Sequence, residues 1–216
     1  MKRYVVSALA VAGIVAAIVF MYAQDAPEPD PTSPLMLEAD GSPSLGDPDA
    51  PLTMIEWGDY QCTFCYRFHQ HTFDTLKNEY VQTGILRVVF RDFPLNGPDS
   101  VLAAHAAKCA DEQGFYWQYH DTLYNNWGGE RTGWITEDAL YGFALDTGLQ
   151  SRLYTDCMES EKYMTTIQDD YESSRQIGID ATPSFIIHDT ANAIKITGNQ
   201  PIETFHAVIQ ELHGDR

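Results

Sequence analysis

Two cysteines three residues apart, Cys62-Thr63-Phe64-Cys65, are the side chains in this chain best suited to chemistry. A thiolate is a nucleophile. A second thiol within one helical turn can resolve the mixed disulfide that the first one forms. By itself a C-x-x-C leaves other readings open. It could be half of a zinc site, which needs two further ligands, or a purely structural disulfide. No second C-x-x-C exists, and His69 and His71 diverge on a helix at i, i+2.

The surrounding elements favour the reactive reading. Leu52 to Trp57 reads as a short buried strand, and Gly58-Asp59-Tyr60-Gln61 as a turn. From Cys62 a helical pattern sets in, with Cys65, Phe68, Thr72, Leu76 and Tyr80 close to one face and Gly84 closing it. Cys62 therefore falls at a helix N-terminus, where free N–H groups and the helix dipole favour an anion. Ile85 to Phe90 reads as a second strand, completing a strand–helix–strand unit with a parallel pair. Ser100 to Asp111, Phe115 to Asn125, Thr136 to Asp146, Leu149 to Met158 and Glu161 to Ile177 read as helices, with Thr136 as an N-cap. Ser184 to His188 and Ala193 to Thr197 read as strands joined by a hairpin turn, and Pro201 opens a last helix to about Leu212. Two separated αβ pieces can then share one sheet, with the helical block inserted between them. On this reading residues 48–98 and 178–216 form the αβ domain and residues 99–177 the helical insertion.

Composition sets the remaining bounds. The 216 residues carry 31 acidic and 13 basic side chains, a formal net charge of −18. That field repels nucleic acid and anionic lipid surfaces, so neither is an expected partner. Tyr4 to Ala23 is twenty residues without a charge, preceded by Lys2 and Arg3 and followed by Asp25, Glu28 and Asp30. As a helix it spans roughly 30 Å, the thickness of a bilayer core. The positive-inside rule then puts the rest of the chain outside the cytoplasm. Residues 1–23 are expected to be a membrane anchor, with a cleaved signal segment as the alternative; either exports the domain. Residues 24–47, rich in Pro, Asp and Ser, read as a flexible tether without helix or strand.

Three stretches carry a resemblance to a known family. Asp59-Tyr60-Gln61-Cys62-Thr63-Phe64-Cys65-Tyr66-Arg67-Phe68, Phe90-Arg91-Asp92-Phe93-Pro94-Leu95 and Ala181-Thr182-Pro183-Ser184-Phe185 look like the DsbA-type thiol oxidoreductases, and the likeness runs from Gly46 to Leu212. It implies a thioredoxin fold with an inserted all-helical domain. It implies Cys62 as the attacking cysteine and Cys65 as its buried partner. Thr182-Pro183 would be a cis-proline turn facing them and offering backbone hydrogen bonds to a substrate strand. Glu56 would be the buried acid that exchanges a proton with Cys65; the alternative for Glu56 is an exposed charge at a strand end. The Thr-Phe dipeptide departs from the common pattern in lacking a histidine, and charged Asp59 and Glu56 would oppose a thiolate.

Cys109 and Cys157, both in the helical block, are expected to pair as a structural disulfide; two buried free thiols or a second redox pair are the alternatives. The aromatics Phe115, Tyr116, Trp117, Tyr119, Tyr124 and Trp127 are expected to form the block's core, with a substrate groove as the alternative for some of them. No glycine-rich phosphate loop appears, so no nucleotide, flavin or metal cofactor is expected beside the redox-active Cys62–Cys65 pair. The functional expectation is a monomeric, membrane-tethered dithiol oxidase for reduced or misfolded exported proteins, reoxidised by a quinone-linked membrane thiol oxidase. A reductase or isomerase is the nearest alternative; a non-catalytic binding or chaperone module and a metal carrier are the rivals from other classes.

Overall fold

The computed structural model describes residues 41–214, which lie in one compact unit. The expected membrane anchor and most of the expected tether lie outside the described residues. Among the described residues no helix is long and apolar enough to cross a membrane.

Five strands make one mixed sheet: β1 (Ser44–Leu45), β2 (Leu52–Gly58), β3 (Leu86–Asp92), β4 (Ser184–His188) and β5 (Ala193–Thr197), in spatial order β1-β3-β2-β4-β5. β2 and β3 run parallel, and the other pairs are antiparallel. A parallel pair requires a crossover, which helix α1 supplies over residues 63–81. α1 opens as a regular helix, Thr63–Phe68. It then widens into i→i+5 turns at His69–Phe73 and Lys77–Val81, separated by Asp74–Leu76. The widening adds His69 and Phe73 to the buried stripe of Cys65, Phe68, Thr72 and Leu76, and it buries Val81 where the regular period points to Tyr80. A period of 3.6 could not anticipate that drift.

Between β3 and β4 the chain runs through α2 (Pro98–Asp111), α3 (Tyr116–Asn125), α4 (Glu137–Thr147), α5 (Ser151–Ser160) and α6 (Met164–Gln176), and α7 (Ile202–Gly214) follows β5. The caps explain several boundaries. Thr136 Oγ1 accepts the Ala139 N–H at 3.1 Å, and Gly148 ends α4 at φ 91°, a left-handed conformation that favours glycine. Two segments differ from the sequence reading. Ser44–Leu45, inside the expected tether, pair with Val88 and Val89 as the sheet's short outer strand. A two-residue strand carries no periodicity to read. The Trp117 indole N–H, which donates to the Ser44 carbonyl at 2.8 Å, also holds it. The helical block begins at Pro98, which serves as the first residue of α2.

The sheet separates two apolar layers. On one face Leu52, Met54, Leu86, Val88, Phe185 and Ile187 pack against α1 and α7 through Phe68, Leu76, Phe205 and Ile209. On the other, Ile55, Trp57, Val89, Phe93 and Ile186 pack together with Ile179. A third cluster joins Cys62, Cys65, Tyr60 and Phe90 to Tyr116, Tyr119, Tyr124 and Leu123 of the helical block. Buried Asp92 and Lys108 form a triad with part-exposed Asp170, with Nζ–O separations of 3.2 and 3.4 Å, which ties β3 to α2 and α6.

Candidate active site

The site is built where β2 hands over to α1. Strand, turn and helix are continuous, so the first turn of α1 is carried on the sheet's central strand. Cys62 takes extended backbone angles, φ −66° and ψ 123°, and caps the helix with its sulfur. Sγ accepts the Cys65 N–H at 3.4 Å, the place normally filled by a serine or aspartate oxygen. Both cysteines are free thiols and both are buried, Cys65 completely.

Their environments push them apart. The Cys62 thiol is lowered from 9.0 to about 7. The hydrogen bond from Cys65 lowers it most, burial opposes that, and bonds from Thr182 and from the Cys65 and Phe64 backbone add to the lowering. Cys65 is pushed well above its ordinary value, first by burial and then by its hydrogen bond to Cys62. One sulfur is thus held as a thiolate near neutral pH while its partner keeps a proton.

Glu56 sits in the middle of β2. Its register partners are Phe90 on β3 and Phe185 on β4. Directly paired residues share a sheet face, so the carboxyl is flanked by two phenyl rings and is only 2% exposed. Burial raises it from 4.5 to about 8, and the charge of Cys62 adds to the rise. Glu56 is therefore no exposed strand-end charge. It is a neutral, proton-bearing acid at pH 7, electrostatically coupled to both thiols.

Thr182-Pro183 lies across from the pair. The peptide bond is cis, Pro183 is buried, and the Thr182 carbonyl is 3.4 Å from Cys62 Sγ. That carbonyl accepts from the sulfur only while Cys62 is protonated.

Several residues around the site have roles that the sequence does not show. Asp59 does not face the thiolate as an unsatisfied charge. Its carboxylate accepts the backbone N–H groups of Gln61, Leu95 and Asn96 at 2.8, 2.7 and 2.8 Å and the Asn96 side-chain amide at 3.1 Å. It therefore fixes the β3–α2 loop against the turn. Gln61 donates to Ser100 Oγ and to the Asn96 carbonyl and accepts from the Arg131 N–H. Trp127 donates to the Gln61 carbonyl at 3.1 Å and stacks on Tyr66 at 4.5 Å. Trp127 was expected in the block's core; it is half-buried and borders the cysteines instead, as a loop brings it there across 66 residues. Phe64, 52% exposed, stands beside Cys62 on the surface with the Arg67 guanidinium over its ring. Only the polar flanks Asp59 and Gln61 of the motif hinted at such turn bonds. Gly58 has a packing reason: a Cβ there would meet the Phe90 ring at 2.5 Å and Tyr124 Oη at 3.3 Å.

Cys109 and Cys157, in the same apolar cluster as the thiol pair, are joined in a disulfide between α2 and α5, with Cα atoms 5.8 Å apart.

A thiol pair held in this way, at a helix start on a thioredoxin-type sheet, defines a thiol–disulfide oxidoreductase. The chain belongs to the thioredoxin family, whose model matches residues 38–211, and within it to the DsbA-type oxidoreductases. It is 26% identical over 152 residues to disulfide bond formation protein D of Bacillus subtilis, covering 69% of this chain and 68% of that protein. The crystal structure of alpha-DsbA1 from Wolbachia pipientis superposes with a TM-score of 0.74 at 28% identity, over 84% of this chain and 95% of that one. The fold is also that of oxidised BdbD from Bacillus subtilis, with a TM-score of 0.73 at 24% identity over 79% and 92% of the two chains.

Proposed function

We propose that this enzyme is a dithiol oxidase for exported proteins, held at the outer face of the membrane by residues 4–23. The observation that carries the reading is the Cys62 sulfur, which caps the start of α1 beside a fully buried Cys65.

In the oxidised enzyme, a substrate thiolate attacks Cys62 Sγ. The Cys62–Cys65 bond breaks and Cys65 leaves as a thiolate. Glu56, protonated at pH 7, supplies the proton that Cys65 then keeps. The second substrate thiolate attacks the substrate's own sulfur in the mixed disulfide and expels Cys62 as a stabilised thiolate. Two electrons pass to the enzyme, and the substrate leaves with a disulfide. A quinone-linked membrane thiol oxidase restores the Cys62–Cys65 disulfide. Thr182 and Pro183, opposite Cys62, offer backbone to an extended substrate, and exposed Phe64 gives it apolar surface.

The test is oxidative refolding of a reduced, disulfide-containing protein. Wild type accelerates it and Cys62→Ser does not. A Cys62→Ser variant as fast as wild type would leave only a binding or chaperone role. One observation favours a reductase instead: a thiol at about 7 matches the value of thioredoxin more closely than that of a strong oxidase. The reduction potential decides between them, since a value near that of thioredoxin would assign the reductant role.

A further inference from the structure

Two buried histidines, each packed against the Tyr124 ring, meet an aspartate. We propose that His69, His120 and Asp121 form a binding site for a borderline divalent transition-metal ion, exemplified by Zn2+.

His69 comes from the widened turn of α1, and His120 and Asp121 come from α3. The sequence offers His69 only the diverging His71; the tertiary fold gives it a different partner, fifty-one residues on. His120 Nδ1 is 3.4 Å from Asp121 Oδ1, His69 Nε2 is 3.8 Å from the same oxygen, and all three donors lie within 4.8 Å of one another. Around a tetrahedral ion with bonds of about 2.0–2.1 Å, donors stand about 3.4 Å apart, so small side-chain adjustments close the site. Two imidazoles and one carboxylate suit zinc and its neighbours, whereas calcium and magnesium ask for oxygen donors.

Two further features fit ligation. Both rings are more than nine-tenths buried, which shields their ligating nitrogens, His69 Nε2 and His120 Nδ1, from competing water. Asp121, 38% exposed, opens the cluster to solvent, which leaves an entry route and room for water as a fourth ligand.

The charge now nearest is Lys77. Its Nζ is 2.8 Å from Asp74 Oδ1 and 3.7 Å from Asp121 Oδ2. An incoming dication repels this ammonium, which keeps Asp74 as its partner. Lys77 thus acts as a resident competitor, a role that a purely structural cluster gives it no occasion to play. A bound ion would clamp α1, whose first turn holds Cys62, to the helical block.

The experiment is calorimetric titration of the full-length protein with Zn2+ while both cysteine pairs are disulfide-bonded, so that no thiol can ligate. Wild type is expected to bind one ion. Asp121→Asn, at a half-exposed position that spares the fold, is expected to weaken binding by about tenfold or more. Lys77→Met is expected to tighten it, and His71→Gln, at an exposed neighbouring imidazole, to leave it unchanged. Co2+ in place of Zn2+ should give the visible absorption of a tetrahedral site in wild type and lose it in Asp121→Asn. The proposal fails if wild type binds more weakly than about 100 µM, if Asp121→Asn binds as wild type does, or if His71→Gln loses as much affinity as Asp121→Asn. Weaker or equal binding by Lys77→Met removes the competitor role.

Discussion

The carbonyl oxygen of Thr182 lies 3.4 Å from Cys62 Sγ, although 120 residues separate the two in sequence. Strand pairing brings them together. β2 leads into Cys62, its antiparallel neighbour β4 begins just after Pro183, and the Trp57–Ser184 register pair places those two ends side by side.

The same strand pairing brings up the Thr182 side chain, which, unlike the carbonyl, adds to the lowering of the Cys62 thiol and so bears on the reactivity of the reduced enzyme. The alkylation rate of Cys62 should rise with pH through a midpoint near 7, and Cys65 should stay unreactive across that range. Thr182→Val should move the midpoint upward, because it removes one of the bonds that lower Cys62. Iodoacetamide labelling followed by mass spectrometry at a series of pH values reads both. A midpoint at the ordinary 9.0 in wild type would contradict the capping argument.

Glu56 gives the fold a pH dependence of known sign. Below 4.5 its carboxyl is neutral whether the chain is folded or unfolded. Between 4.5 and about 8 the unfolded chain loses this proton while the folded one keeps it. The folded state then binds more protons, so stability falls as pH rises, by at most about 1.4 kcal/mol per pH unit. Above about 8 both forms are ionised and this loss is complete. Glu56→Gln should flatten that slope in urea-unfolding midpoints and be the more stable protein at pH 8. It should also slow turnover, since an amide cannot supply the proton that Cys65 takes. Parallel slopes for the two proteins would refute the account.

Lys108 sits between Asp92 and Asp170, 3.2 and 3.4 Å from them. Removing one partner of a buried ion pair leaves an uncompensated charge and costs about 3–5 kcal/mol. Lys108→Met is therefore expected to destabilise the protein by that amount, whereas Arg152→Met, in an exposed i, i+4 pair with Asp156, should change little. Chemical denaturation of the two variants beside wild type makes the comparison.

The Cys109–Cys157 bridge closes a separation of 48 residues. Loop-closure entropy assigns it about 4 kcal/mol, a model-dependent figure. Cys109→Ala with Cys157→Ala should lose stability of that order in urea, yet leave the pH profile of Cys62 alkylation where it was. A shifted profile would mean that the bridge and the reactive pair are coupled.

The elements were largely legible because local rules fix them. Alternating or continuous apolar runs marked β2, β3, β4 and β5, and caps such as Thr136 and Gly148 marked helix ends within a few residues. Cys62-Thr63-Phe64-Cys65 announced its chemistry because strand, turn and helix start are contiguous in sequence. What the chain alone could not decide depends on distant neighbours. Ser44–Leu45 is a strand only because β3 offers it a free edge and Trp117 holds it there. Glu56 is a buried acid only because Phe90 and Phe185, 34 and 129 residues away, flank it in the sheet. Asp59 is satisfied only because the loop after β3 turns its N–H groups inward, and His69 meets His120 only across two packed helices. Local sequence sets backbone conformation and the identity of the reactive groups. Burial, charge and hydrogen-bond partners are set by which surfaces pack together, and on those the strength of Cys62 as a thiolate depends.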